Sequence, residues 1–117
     1  MHSGSVSVSL QEQEYDARAL PELRALVDAL DALDSDAFEA ELSSDILSIE
    51  FRDGAKYVIN SHRAARQIWM AADRSAWHFD WDESGERWVA GKTGDELWAT
   101  LSRVLTARLG PVTLKKR

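Results

Sequence analysis

Eight acidic residues and no Lys or Arg stand between Arg24 and Arg52: Asp28, Asp31, Asp34, Asp36, Glu39, Glu41, Asp45 and Glu50. The net charge of the chain is -6 at pH 7, so this stretch outweighs the whole and the remainder is net positive. Like charges packed this densely repel and cost stability, and a run of them asks for a compensating role. Asp28 and Asp31 are one helical turn apart, Asp34 continues their line, and Glu39 and Glu41 share one face of a strand. Carboxylate oxygens are hard ligands suited to Mg²⁺, Ca²⁺, Mn²⁺ and iron. With no His or Cys among them, Asp28, Asp31, Asp34, Asp36, Glu39 and Glu41 describe an exposed, weak and unselective metal site. The same field repels phosphate, which argues against nucleic acid as a partner of this face, and it attracts a basic protein surface. A merely solvated charged face is the ordinary alternative.

Other chemistry is sparse. The chain has no cysteine, which removes disulfides, zinc-thiolate sites, Fe–S ligation and cysteine nucleophiles. His2, His62 and His78 show no zinc-ligand spacing and no catalytic triad pattern. Gly91–Lys92–Thr93 opens a helix, but Gly85 lies one residue too far upstream for a phosphate-binding loop. No apolar run is long enough to span a membrane, and the first residues lack the basic and apolar regions of a signal peptide, so a cytoplasmic protein is expected.

The elements that must position these residues follow from periodicity. Residues 1–8 read as a disordered tail, and Ser9 with Glu12 has capping-box spacing for a helix starting near Leu10. Leu20, Leu23, Leu26, Val27, Leu30 and Leu33 form a helical stripe, with Pro21 marking a kink or the true start. From Asp36 the period changes to two. Short strands follow around 38–42, 47–51, 56–60, 68–72, 77–81 and 87–90, joined by turns at Ser43–Asp45, at Asp53–Gly54 (a type I′ signal), at a polar bend 61–66 and at Glu83–Gly85. Thr93 and Glu96 form a second capping box before the stripe Leu97, Trp98, Leu101, Val104, Leu105 and Leu109, which ends at Gly110. Residues 111–117 are a short basic tail. A helix, a meander and a helix give an α+β sandwich over residues 9–110, with two helices on one face of an antiparallel sheet of about six strands. Trp69 alternates with Ile68 and Met70, so if those face the helices its indole lies on the open face, where exposed aromatics mark contact sites. His78, between Trp77 and Phe79, points to the same open face.

Asn60–Met70 reads Asn-Ser-His-Arg-Ala-Ala-Arg-Gln-Ile-Trp-Met and resembles the frataxin-family signature Asn-x-Gln-x-Pro-x-x-Gln-Ile/Val-Trp-Leu/Met. Asn60, Gln67, Ile68, Trp69 and Met70 match, whereas His62 stands for Gln, Ala64 for Pro, and Pro21 is a further departure. Trp77–Asp80 is similar to the aromatic-His-Phe-Asp strand of bacterial members, and Thr93–Trp98 to the opening of their last helix. The resemblance spans about Glu14 to Gly110. It implies an αβ sandwich that binds iron (Fe²⁺/Fe³⁺) weakly and docks on the cysteine desulfurase and scaffold of Fe–S cluster assembly, tuning how fast clusters form. Asp28, Asp31, Asp36, Glu39 and Glu41 fall where bacterial members are acidic, with Asp34 close by. Trp69 matches the exposed sheet tryptophan implicated in scaffold contact, and Asn60, Gln67 and His78 join it as partner-binding candidates.

The expectation is therefore a monomeric, iron-binding regulatory adaptor without enzymatic activity. An iron-storage or ferroxidase-like oligomer is the alternative, although the Glu-x-x-His pairs of di-iron centres are missing from the sequence. A protein-binding domain whose acidic face never meets metal is a third reading.

Overall fold

The computed structural model describes residues 12–116. The first helix, α1 (Glu12–Ala32), leads into six strands: β1 (Phe38–Ser43), β2 (Ile46–Phe51), β3 (Lys56–His62), β4 (Gln67–Ala72), β5 (Ser75–Asp82) and β6 (Arg87–Ala90). The second helix, α2 (Leu97–Leu109), follows. Spatial order equals chain order, and every neighbouring pair is antiparallel. Both helices pack against this six-stranded sheet and leave its other face open, the architecture expected from the periodicity.

The core lies between the layers because each strand turns alternate residues inward. Leu47, Ile49, Ile59, Ile68 and Phe79 are fully buried from the sheet, against Leu23, Leu26 and Leu30 of α1 and Leu97, Leu101 and Leu105 of α2. At the β6 edge, Tyr15 packs edge-on to Trp88 with centroids 6.1 Å apart and donates its hydroxyl to the Gln67 carbonyl at 2.7 Å. Burial holds the Tyr15 phenol above its ordinary pKa.

Several local readings change. Pro21 lies inside α1, which has already run nine residues before it, so proline neither starts the helix nor stops it. Leu20 is exposed, and Tyr15 and Ala19 extend the buried stripe in its place. The Ser9 cap lies outside the described residues. The β2–β3 loop is not a type I′ turn, because positive φ falls on Gly54 (93°) rather than on Asp53 as well. Gly54 N–H donates to Phe51 C=O (2.9 Å) and Phe51 N–H to Ala55 C=O (2.8 Å), a three-residue loop with the glycine as bulge. At α2 the cap is Glu96, not Thr93, with its carboxylate accepting from the amides of Trp98 and Ala99. Thr93 is diverted to Asp95, because Ala90 N–H to Asp95 C=O (2.8 Å) ties this segment to β6 before the helix begins. The polar bend shrinks to one 3₁₀ turn, Arg63–Ala65, so β3 reaches His62 and β4 starts at Gln67.

After Gly110 the described part of the basic segment turns back on the helices. Leu114 is buried, its amide donates to Ser102 Oγ (3.2 Å), and Lys116 Nζ reaches Glu22 Oε1 at 2.8 Å. Glu22 is itself buried and also accepts from Trp98 Nε1, so one carboxylate joins α1, α2 and the tail.

Candidate functional site

Two surfaces carry the candidate residues. The first is the acidic edge, where the end of α1, the link 33–37 and the edge strand β1 meet. Asp28, Asp31, Asp34, Asp36, Glu39 and Glu41 are all exposed. Asp34 takes a positive φ (50°), a left-handed conformation that Asp tolerates better than most residues, and this turns the chain from helix to strand. The turn brings Asp31, Asp34 and Glu39 around one shallow depression. Asp36 and Glu39 line a second depression with Glu50 and Arg52. Asp28 and Glu41 belong to neither lining. Among the described residues, no three or more His, Cys, Asp or Glu side chains come close enough together to hold a metal ion between them. What the arrangement does show is a concentrated negative field along this edge, built from hard oxygen donors.

Arg52 is the residue of this edge that the acidic pattern hid. It bounds the run in sequence, yet strand pairing folds it back into the run: its Nε donates to Asp36 C=O at 2.6 Å and its amide to Ala37 C=O at 3.2 Å.

The second surface is the open sheet face. Register places Ile46, Asn60, Trp69 and His78 side by side across β2 to β5, and His62, Gln67 and Asp80 on the next rung. His78 stands directly opposite Trp69 and His62 diagonally from it, the distances at which cross-strand side chains touch. The indole is thereby sandwiched: His62 stacks on one face at 3.8 Å between centroids (13° interplanar) and His78 lies 4.1 Å away at 11°. Trp69 Nε1 donates to Gln67 Oε1 (2.8 Å), and Gln67 Nε2 donates to Asp80 Oδ1 (3.0 Å). Asn60 donates to the Ser61 carbonyl at 3.0 Å. Trp69 is therefore half-buried, fixed at its nitrogen and covered on both faces, and it presents its ring edge outward. At one end of the row Ile46 is left 45% exposed.

Asn60, Gln67, Trp69 and His78 thus come together on one face, apart from the carboxylate edge. His62 and Asp80 belong with them and were missed as site residues. Their parity was visible in the sequence, but which residue of one strand faces which of the next depends on the length of the 3₁₀ turn.

The frataxin-like domain profile matches residues 8–111. Among curated relatives, the iron-sulfur cluster assembly protein CyaY of Thioalkalivibrio sulfidiphilus is 36% identical over 105 residues, covering 90% of this chain and 92% of that one. The protein of the same name from Cupriavidus pinatubonensis is 40% identical over 97 residues, covering 80% and 85%. Among solved structures, frataxin from Psychromonas ingrahamii superposes with a TM-score of 0.80 over 89% of this chain and 96% of its own, and at 18% identity that likeness concerns the fold. A trimeric frataxin from the yeast Saccharomyces cerevisiae, complexed with ferrous iron, superposes with a TM-score of 0.68 at 25% identity over 88% and 89%. Profile, relatives and fold agree: the chain belongs to the frataxin family.

Proposed function

We propose that this protein is a cytoplasmic, monomeric and non-enzymatic regulator of iron-sulfur cluster assembly, which binds iron weakly at its acidic edge and docks on the cysteine desulfurase and scaffold. The observation that carries the reading is the depression lined by Asp31, Asp34 and Glu39. Its oxygens are exposed and uncaged, so a cation binds and leaves readily, as a cargo or a signal must and a resident catalytic metal need not. Asp28, Asp36 and Glu41 extend the negative field around it. That field also draws a basic partner surface. The relatives named for cluster assembly and the yeast frataxin complexed with ferrous iron support the same assignment.

Mechanistically, the carboxylates steer encounter and set its salt dependence. The sheet face, through Trp69, Asn60, Gln67 and His78, supplies the desolvated contact that slows dissociation. The test is a pull-down of purified desulfurase and scaffold by this protein, with and without Fe²⁺, for wild type and for Asp31→Asn/Asp34→Asn/Glu39→Gln. The triple variant should lose Fe²⁺ binding and associate more slowly. Unchanged iron titration and unchanged capture would end the proposal. Sedimentation with Fe²⁺ separates the monomeric adaptor from an iron-storage oligomer.

A further inference from the structure

We infer, resting on the docking reading of the open sheet face, that Trp69 and the two histidines stacked on it make that face responsive to protons: His78 takes up the proton, His62 stays neutral, and docking weakens once His78 is charged.

Imidazole is the side chain whose charge changes between about pH 5 and 8. Two of them flank one indole here, at 3.8 and 4.1 Å between centroids and nearly parallel to it. Indole is the best aromatic face for a cation, so Trp69 favours a charged ring on either side. It does not favour two, because imidazolium ions on both faces would repel one another across a single ring. The sandwich therefore accepts one proton more easily than a second.

The surroundings decide which ring receives it. An imidazolium has two N–H groups to satisfy, whereas a neutral imidazole has one. His62 Nδ1 is buried and has no hydrogen-bond partner. Charging His62 places an N–H there without an acceptor, and a buried donor left unpaired costs more than one open to water. His78 is exposed, so water can take its second N–H. The charged groups nearby offset one another at both ends. On the His62 side, Arg63 and Arg66 flank the 3₁₀ turn, Asp16 of α1 pairs with Arg63, and Asp45 accepts from Ser61 Oγ. On the His78 side, Asp80 of the same strand and Lys92 after β6 line one depression with His78. The buried nitrogen, rather than the field, makes the choice.

The charge thus arrives in the middle of the contact row. A ring that must give up water on docking costs more when it is charged. A partner basic enough to be drawn by the acidic edge also repels it. Neutral His78 is the docking form, and a fall in pH through its titration releases the partner.

The test follows the imidazole and indole nitrogen signals of the full chain by NMR between about pH 5 and 8.5, the range in which imidazole titrates. His62→Gln and His78→Gln assign the ring signals, and the same spectra report that each variant is folded. His78 should become doubly protonated while His62 remains singly protonated, and the Trp69 Nε1–H signal should move with His78. Trp69→Leu should shift the His78 midpoint to lower pH by about half a unit, the size of one exposed cation–π contact. Dissociation from immobilised desulfurase and scaffold should quicken severalfold from mildly alkaline to mildly acid buffer in wild type, and His78→Gln should lose most of that dependence. A common midpoint for both rings, or a His78 midpoint that Trp69→Leu leaves in place, would overturn the inference. Equal pH dependence of dissociation in wild type and His78→Gln would do the same. Failure to capture the partner at any pH would instead remove the docking reading and the release step with it, while the ring titrations would still report on the sandwich.

Discussion

Glu39 and Glu50 stand directly opposite one another across the β1–β2 ladder, two carboxylates on one rung of the open face. Like charges in this position destabilise a sheet, and Lys56 beyond Glu50 compensates only one of the pair. Glu39→Gln should therefore raise metal-free stability, by about 0.5 kcal/mol at low salt, with the gain fading as ionic strength rises. Glu50→Gln should gain less, because it also takes a neighbour from Lys56. Urea unfolding at two salt concentrations checks both, and a loss of stability in Glu39→Gln would contradict the repulsion.

Trp69 should act on the lifetime of a complex. Trp69→Ala is expected to speed dissociation from the assembled desulfurase and scaffold by about 2 kcal/mol, the size of an aromatic hot spot. The variant should remain folded, since the indole lies on the open face outside the core cluster. Charge reversal at Asp31 and Glu39 should instead lower the association rate and flatten its dependence on salt. Surface-immobilised kinetics separates the two effects, and equal dissociation rates for Trp69→Ala and wild type would refute the anchoring role.

Acid and alkali should destabilise the fold through different groups. Asp53 is held below the usual carboxylate range by the Ala55 amide and by Arg108, Asp82 by the Ser84 hydroxyl, and Asp95 by the Thr93 hydroxyl and Arg103. A depressed folded pKa gives stability that is present above the unfolded value, about 3.9 for Asp, and is lost as pH falls through the folded one. Melting temperature should hold from neutral pH to near 4 and then drop, less so in Asp53→Asn. Tyr15 and Tyr57 are raised by burial, so the unfolded chain ionises first and stability should fall as pH rises past about 10. With no cysteine in the chain, thiol chemistry cannot confuse that alkaline limb. A flat melting profile between pH 2 and 4 would contradict the acid part.

Leu114 extends the core beyond the last helix. Leu114→Ala should cost about 2 kcal/mol, the low end for a buried leucine because the site lies at the margin of the core and can relax. Chemical denaturation measures it, and a cost below a few tenths would mean that the segment is only laid on the surface.

Much of this was legible in the sequence. The helical stripe of α1 and the alternation in β2 and β5 put Leu26, Ile49 and Phe79 in the core, where they are fully buried. The same alternation put His78 and Trp69 on the open face. What stayed hidden depends on distances between elements. Arg52 looked like the boundary of an acidic run until β2 folded it against Asp36, and the stacking of His62 on Trp69 needed the register that a 3₁₀ turn sets. The basic segment after Gly110 offered one isolated leucine and no period, so its docking against Ser102 and Glu22 left no pattern to read. Thr93 satisfied a capping rule, but the bond from Ala90 to Asp95 took precedence over it.

The meander order also bears on how the chain finds its fold. Each ladder joins strands that follow one another directly, so every sheet pairing closes a short loop, and such local pairings form fast and with small entropic cost. The contact between Tyr15 and Trp88 is of another kind, since it brings α1 to the final strand and closes a far longer loop, at a larger entropic cost. Substitutions in the hairpins should then slow folding, whereas loosening the Tyr15–Trp88 contact should mainly quicken unfolding. The kinetic lifetime of the folded chain is on this account set at the helix layer, on the side of the sheet away from its candidate partner surface.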